Sequence, residues 1–359
     1  LINYYSALES KGLTERFWPH VEHFIAKDIV KPHGLFWPIM LKAADIPVFK
    51  HLNVHGYWLV DDRKISKSLG NTVKPLDLLK KYGNDAFRYF LLRDMPFGLD
   101  SSFNELAIAE RINADLANDL GNLLNRTLGM LGRYRDGLVP PARQLEAIDQ
   151  DLADAFLALP ATVTSYFDAL QFDRALESVM EAVRKANKYI ADTKPWELAR
   201  SEEDSARLDT VLNTLVEALR CASIVLDPVI PAKALELRKQ LGVRNAPYDL
   251  SAASEWGLVP VGTATQPGEP LFPRIDLDEL TREIEAAATP SAQVALEHKP
   301  EIEYDDFGKL ELRIVTVEKA EQHPNADRLL VLTVRMGPET RTVVSGIKEH
   351  YDAADLVGK

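Results

Sequence analysis

Lys64-Ile65-Ser66-Lys67-Ser68-Leu69-Gly70-Asn71 is the stretch on which the reading of this chain turns. Two lysines three residues apart, among small hydroxyl side chains and a glycine, make a compact cationic loop. Lysine ammonium groups are mobile point charges that can follow the oxygens of a polyanion such as a phosphate chain. The same composition also suits a solvated turn, so the flanking sequence has to decide. Upstream, Leu52 to Val60 is apolar and aromatic and reads as a buried strand, with Asp61-Asp62 as a turn. Downstream, Leu76, Leu79, Tyr82, Phe87, Phe90 and Leu91 recur at three- and four-residue intervals, which predicts one amphipathic helix from Pro75 to Leu92.

Working outward, His23 to Val30 is another strand-like run, and Pro32-His33-Gly34 opens a segment with Leu35, Phe36, Ile39 and Met40 on helical spacing. Strand, helix, strand, basic loop, helix is the order expected of the second half of a parallel α/β sheet, occupying residues 1–103. From residue 104 the texture is helical only. One long helix is predicted near Asn104 to Tyr134, its stripe formed by Ala109, Ile112, Leu116, Leu120, Leu123 and Leu124. After the break at Gly137 to Pro141, helices are expected over Ile148–Leu170, kinked at Pro160, then Arg174–Ala191 and Ser205–Leu226. Short breaks between long amphipathic stretches imply a bundle of antiparallel neighbours over residues 104–258.

Residues 259–300 are rich in proline, alanine, threonine and glutamate and read as a mobile linker with one short helix, Asp278 to Ala288. Beyond it, Glu311–Val317, Leu329–Val334 and Thr340–Ser345 are strand runs separated by turn signals at His323-Pro324-Asn325 and Gly337-Pro338. Residues 301–359 are therefore expected to form a small β-barrel, left short of closure at Lys359.

Composition bounds the function. No apolar run approaches the ~18 residues that a membrane helix needs. The formal charge of −12 argues against a protein coated in positive charge, so any nucleic-acid contact has to come from local sites. A single cysteine, Cys221, excludes an intrachain disulfide framework and a cysteine-based zinc site; it lies in an apolar helical run and reads as a buried thiol of a cytoplasmic protein. Leu1-Ile2-Asn3-Tyr4-Tyr5 has neither an initiator methionine nor a basic leader region, and reads as a chain entered in mid-domain. Neither glycine-rich fingerprint of the Rossmann dinucleotide or P-loop type occurs.

Val54-His55-Gly56-Tyr57, the Lys-Ile-Ser-Lys-Ser loop and Phe36-Trp37-Pro38, in that setting, closely resemble methionyl-tRNA synthetases, a class I aminoacyl-tRNA synthetase family. The resemblance runs on through the bundle and the C-terminal β-region. It implies a multidomain chain: the C-terminal half of an α/β Rossmann-like class I catalytic domain, an α-helical bundle anticodon-binding domain, and a partial β-barrel of the OB-fold type that binds tRNA. The OB-fold match rests on His323-Pro324-Asn325-Ala326-Asp327-Arg328-Leu329 and Val344-Ser345-Gly346-Ile347.

The implied reaction is ATP-dependent activation of methionine to methionyl-adenylate, with Mg2+ accompanying ATP, and transfer to tRNA(Met). Its lysine loop is the family's KMSKS signature, with Ile65 in place of methionine. By resemblance Lys67 is the principal catalytic lysine and Lys64 assists, because a cation helps the negative charge that builds on the phosphoryl oxygens. Asp28, His55, Ser66, Lys67 and Ser68 would meet ATP, with Asp28 accepting hydrogen bonds from the ribose hydroxyls. Ala26 stands where the family carries glycine. Tyr4, His33 and Trp37 would line the methionine pocket, where an aromatic wall suits a thioether. Asn122 and Arg126, one helical turn apart, would read anticodon bases, and Trp196 would stack on one. Arg133, Arg135 and Arg143 are further phosphate-contact candidates.

The resemblance also implies a homodimer made through residues 301–359, a region with 8 Lys and Arg against 12 Asp and Glu. A HIGH signature and a zinc-bearing insertion, both features of the family, do not occur in the sequence; they are expected upstream of Leu1, which would make the chain a fragment inactive alone. No metal site is expected within these residues. Two rival readings stand beside this one: another class I synthetase, for Leu, Ile, Val or Cys, and a non-catalytic tRNA-binding or assembly protein. The retained lysine pair favours an enzyme over the latter.

Overall fold

The computed structural model describes residues 2–60, 63–64, 73–245, 247–288, 304–311 and 313–359. The chain divides into two compact units, Leu1–Thr289 and Pro290–Lys359.

In the first unit, helix α1 (Ile2–Ser10) leads to strand β1 (Glu22–Ala26), a tight turn at Lys27–Ile29, and a helical segment. That segment begins as a π-type turn at Pro32–Phe36 and continues as α2 (Trp37–Ala43). Strand β2 (His51–His55) returns parallel to β1, in register from Glu22↔His51 to Ala26↔His55. This is the strand–helix–strand order expected, and Trp18, Trp37 and Leu41 form its small core.

The single buried strand expected over Leu52–Val60 is two. It breaks at Gly56-Tyr57, and β3 (Trp58–Val60) belongs to a separate three-stranded sheet with β4 (Arg63–Lys64) and β5 (Ser101–Ser102). The break has a packing cause: a Cβ on residue 56 would lie 1.9 Å from the Leu99 carbonyl oxygen, so only glycine fits there. These strand residues are half-buried rather than fully buried. The helix expected over Pro75–Leu92 also divides, into α3 (Pro75–Tyr82) and α4 (Asn84–Arg93), because Gly83 takes φ +82°, a value that ends helices.

A continuous helix, α5, runs from 105 to 135. Glu105–Arg111 is capped by the Asn104 side chain, Ile112–Gly121 is π-helical, and Asn122–Arg135 is regular. The predicted stripe of α5 is buried throughout. The next expected helix is a pair, α6 (Ala147–Leu157) and α7 (Leu159–Asp168), with Pro160 in the first turn of the second, where a missing N–H costs nothing. Helix α8 (Phe172–Thr193) and α9 (Ser205–Leu226) follow, then α10 (Pro231–Gln240).

Helices α6 and α8 are antiparallel, since Asp149 meets Tyr189 and Asp151 meets Lys185, but α5 and α8 run the same way. Arg93 pairs with both Asp115 and Glu177 at one level, and Asn187 donates to the Asp119 carbonyl at the next. One core extends from Leu78 through the bundle to Phe272, so the catalytic-type segment and the bundle share their interior with no gap at residue 103.

The stretch expected as a linker is corrected in its first part. Val259, Leu271 and Phe272 are buried against the bundle, Leu138 bridges Ala264, and Asn113 both donates to and accepts from the Ile275 backbone. Apolar residues spaced irregularly along proline-rich backbone gave no periodic signal, yet they strap the bundle. Helix α11 (Leu277–Ala288) then returns to α3 and α5 through Lys81, which contacts Glu105 and Glu283. Residues 289–303 lie outside the described residues.

The second unit is an antiparallel meander of β6 (Thr316–Gln322), β7 (Leu330–Met336) and β8 (Glu339–Ser345). Alternation on β7 buries Leu330, Leu332 and Val334 on one face. Strand β6 begins later than the expected Glu311, and its Val317 exchanges backbone hydrogen bonds with Gly358 and Lys359.

Candidate active site and anticodon-type face

The parallel register of β1 and β2 assembles the first part of the site. Ala26 and His55 are partners at the carboxyl ends of their strands, and Asp28 lies in the turn two residues on. The carboxyl edge of a parallel sheet is where α/β folds bind ligands. His55 Nδ1–H donates to the Gly56 carbonyl at 2.8 Å, which fixes its ring at that edge.

Beside it lies a cleft of about 610 Å³ whose wall includes Tyr4, Phe17, Trp18, His23, Phe24 and His33. Tyr4 is 68% exposed, and His33 is held by an Nδ1–H bond of 2.9 Å to the Ile29 carbonyl. The structure thus brings Tyr4 and His33 to one aromatic cleft.

Trp37 is placed differently. It is fully buried behind the wall, stacked edge-on at 6.5 Å from Trp18, and its indole Nε1–H donates to His23 Nε2 across 3.1 Å. It meets the cleft through Trp18 and through His23, the latter a residue the sequence reading passed over as part of an apolar run. Strand alternation was the available signal, since it places His23 on the same face as buried Ile25. Burial lowers the His23 pKa and His33 nearby lowers it further, so His23 is neutral and can accept the indole hydrogen.

Of the cationic loop, the backbone of Lys64 is described, paired with Leu59 across β4 and β3. Ser66, Lys67 and Ser68 lie outside the described residues. Among the described residues, no group of three or more His, Cys, Asp or Glu side chains is arranged to hold a metal ion.

The second candidate face belongs to the bundle. Asn122 is exposed and Arg126 half-buried, one turn apart on α5. Trp196 is 41% exposed. Its display follows from backbone geometry: Lys194 ends α8 in the left-handed region at φ +46°, and buried Pro195 starts the short helix Pro195–Leu198. That end of the bundle is locked by Asp149, whose side chain is 0% exposed. Asp149 accepts from Tyr189 Oη at 2.5 Å, from Arg207 Nη1 and Nη2 at 2.5 and 2.9 Å, and from the Glu146 backbone N–H at 2.8 Å. Burial pushes Asp149 up, but these partners outweigh it and hold the carboxyl below its ordinary value. Arg135, a candidate phosphate contact, is instead occupied by Asp209 at 2.5 Å and by Ser205.

Comparison with known proteins carries the same pattern. The profile described as "tRNA synthetases class I (M)" matches residues 1–128. The profiles "Anticodon binding domain of methionyl tRNA ligase" and "Putative tRNA binding domain" match residues 139–287 and 312–359. The methionine–tRNA ligase of Deinococcus radiodurans is 44% identical over 385 aligned positions, spanning 100% of this chain and 56% of that protein. This chain belongs to the methionyl-tRNA synthetase family.

The methionine–tRNA ligase of Caldanaerobacter subterraneus subsp. tengcongensis is 40% identical, over 100% of this chain and 57% of that protein. Mycobacterium tuberculosis methionyl-tRNA synthetase bound by methionyl-adenylate superposes with a TM-score of 0.68 and 39% identity, covering 73% of this chain and 51% of that one. The apo form of that enzyme gives 0.67 and 36%, over 74% and 51%. The chain therefore spans about half the length of the methionyl-tRNA synthetases it matches. No helix among the described residues is long and apolar enough to cross a membrane.

Proposed function

We propose that this chain contributes one side of the methionine-activating site, and the anticodon-reading bundle, of a methionine–tRNA ligase. The observation that carries the reading is the Ala26↔His55 register, which sets Asp28 and His55 at one sheet edge beside the aromatic cleft of Tyr4 and His33. In the reaction, a methionine carboxylate oxygen attacks the α-phosphorus of ATP and pyrophosphate leaves. The 3′-terminal ribose hydroxyl of tRNA(Met) then attacks the methionyl carbonyl, and AMP leaves. Lys67, assisted by Lys64, meets the charge that develops on the phosphoryl oxygens. Asp28 accepts from the ribose hydroxyls, while His55, Ser66 and Ser68 flank the nucleotide. The cleft takes the thioether, with Tyr4 and His33 in contact and Trp37 acting from behind His23.

Mg2+ enters with ATP. A small hard cation that keeps its waters and phosphate oxygens needs no cage of protein ligands. A cysteine-based zinc site would have to draw on other residues, because the single cysteine of this sequence is buried in α9. No HIGH signature occurs in these residues, so they form no adenylate by themselves. Anticodon reading falls to Asn122, Arg126 and Trp196 in the cytoplasm, where tRNA is charged. Homodimerisation is assigned to the second unit, whose strand β8 exposes Val343 and Val344.

The test is ATP–pyrophosphate exchange with protein of the relatives' full length. Exchange that depends on methionine, and not on leucine, isoleucine, valine or cysteine, supports the reading. Exchange driven by one of those amino acids, or none at all, overturns it.

A further inference from the structure

At the carboxyl edge of the sheet a second group of residues converges that the reading so far leaves without a role. Lys27 Nζ lies 2.6 and 2.5 Å from the two carboxylate oxygens of Asp100. Asp100 Oδ1 also accepts the Tyr57 backbone N–H at 2.7 Å. The same ammonium sits 4.5 Å from the centroid of the Tyr57 ring. These residues come from distant parts of the chain. Lys27 precedes Asp28 in the turn after β1, Tyr57 precedes β3, and Asp100 precedes β5, which pairs parallel with β3. The Gly56–Leu99 backbone packing presses the hinge between β2 and β3 directly onto the segment that presents Asp100.

Stability is a poor explanation for this clamp. Lys27 and Asp100 side chains are 44% and 34% exposed, and ion pairs in such settings contribute little to stability. What the clamp does fix is spacing. On one side of it is the turn bearing Asp28. On the other is β3, which pairs with β4 and so leads into the Lys64–Ser68 loop.

We propose that Lys27 and Asp100 are positioning residues for ATP, setting the distance between the ribose-binding turn and the strand that supports the lysine loop. The inference rests on the synthetase reading of this edge and adds residues to it that the loop motif does not contain. Removing either partner frees the two segments to drift, and a misplacement of about 1 Å can cost on the order of 100-fold in rate.

The experiment uses protein of the relatives' full length and compares the wild type with Lys27→Met, Asp100→Asn, the double variant and Lys27→Arg in methionine-dependent ATP–pyrophosphate exchange. Each single variant is expected to lose about 10- to 100-fold in kcat/KM for ATP, with KM for methionine and the melting temperature unchanged. The double variant is expected to be no worse than the poorer single variant, because the two residues act as one unit. Lys27→Arg is expected to restore most of the loss. Single variants within two-fold of an active wild type would overturn the clamp while leaving the synthetase reading intact. So would losses that are equal for ATP and methionine and follow the melting temperature. A wild type without methionine-dependent exchange would overturn the reading itself, and the clamp with it.

Discussion

The indole N–H of Trp37 donates to His23 Nε2 across 3.1 Å, from a position with no solvent exposure. Trp37 therefore shapes the aromatic cleft by holding other side chains, and its own ring does not line it. His23 in turn packs edge-on against Phe49 at 4.3 Å and stands 6.1 Å from His33, so its orientation is set from three sides.

Trp37→Phe keeps most of the buried aromatic surface and removes the donor. The acceptor on His23 then lacks a partner, at a cost of about 1–3 kcal/mol, or roughly 5- to 150-fold. KM for methionine is expected to rise within that range while KM for ATP holds, as measured by pyrophosphate exchange with full-length protein. Equal effects on both substrates would contradict the His23 route.

Lys67→Ala tests the cationic loop. A cation that acts on the transition state is expected to leave methionine affinity nearly unchanged while kcat falls by about 100- to 1,000-fold, the usual loss for one preorganised electrostatic contact. Burst and equilibrium-binding measurements separate the two quantities.

Trp196→Ala removes the exposed ring at the end of the bundle. Base stacking on an aromatic is worth about 1–3 kcal/mol, so tRNA(Met) affinity is expected to fall by that amount. Methionine-dependent pyrophosphate exchange, which involves no anticodon, should not move. A fall in exchange would instead assign Trp196 to packing.

Asp149 links acid sensitivity to the same end of the bundle. Its folded pKa is depressed, so the stability it contributes is complete above its ordinary value near 4 and is lost as pH falls through the folded value. Asp149→Asn leaves Arg207 with Glu146 as its remaining anionic partner and is expected to cost about 1–3 kcal/mol at neutral pH, with a flatter dependence below about pH 4. Urea denaturation at both pH values measures it. Parallel stability curves for variant and wild type would remove Asp149 from the acid response.

Cys221 offers a probe of global unfolding. Burial pushes its thiol up to about 12 and no surface leads to it. Alkylation at neutral pH is expected only as the bundle opens, at a rate that rises with denaturant; brisk modification of the native protein would contradict its burial.

Much of this molecule was legible from the chain alone, because the responsible physics is local. Helix α9 spans the expected Ser205–Leu226, since apolar residues recur at helical spacing along the whole stretch. The strand–helix–strand order before the lysine loop and the stripe on α5 follow from side-chain periodicity, which a sequence displays directly. The loop motif and its neighbours also sufficed to point to the family.

What tertiary structure decided depends on residues far apart in sequence. Gly56 breaks one expected strand into two because the Leu99 carbonyl occupies the place of a side chain, a contact no local pattern announces. Residues 259–276 look like a linker by composition, yet Leu271 and Phe272 find a bundle surface to bury against. Motif matching put Trp37 in the methionine pocket, but the fold sets it one layer back and puts His23 at the wall. The Lys27–Asp100 pair joins residues 73 positions apart through side-chain charge. Periodicity records which face a residue turns to the core; it carries no record of which distant backbone or charge that face will meet.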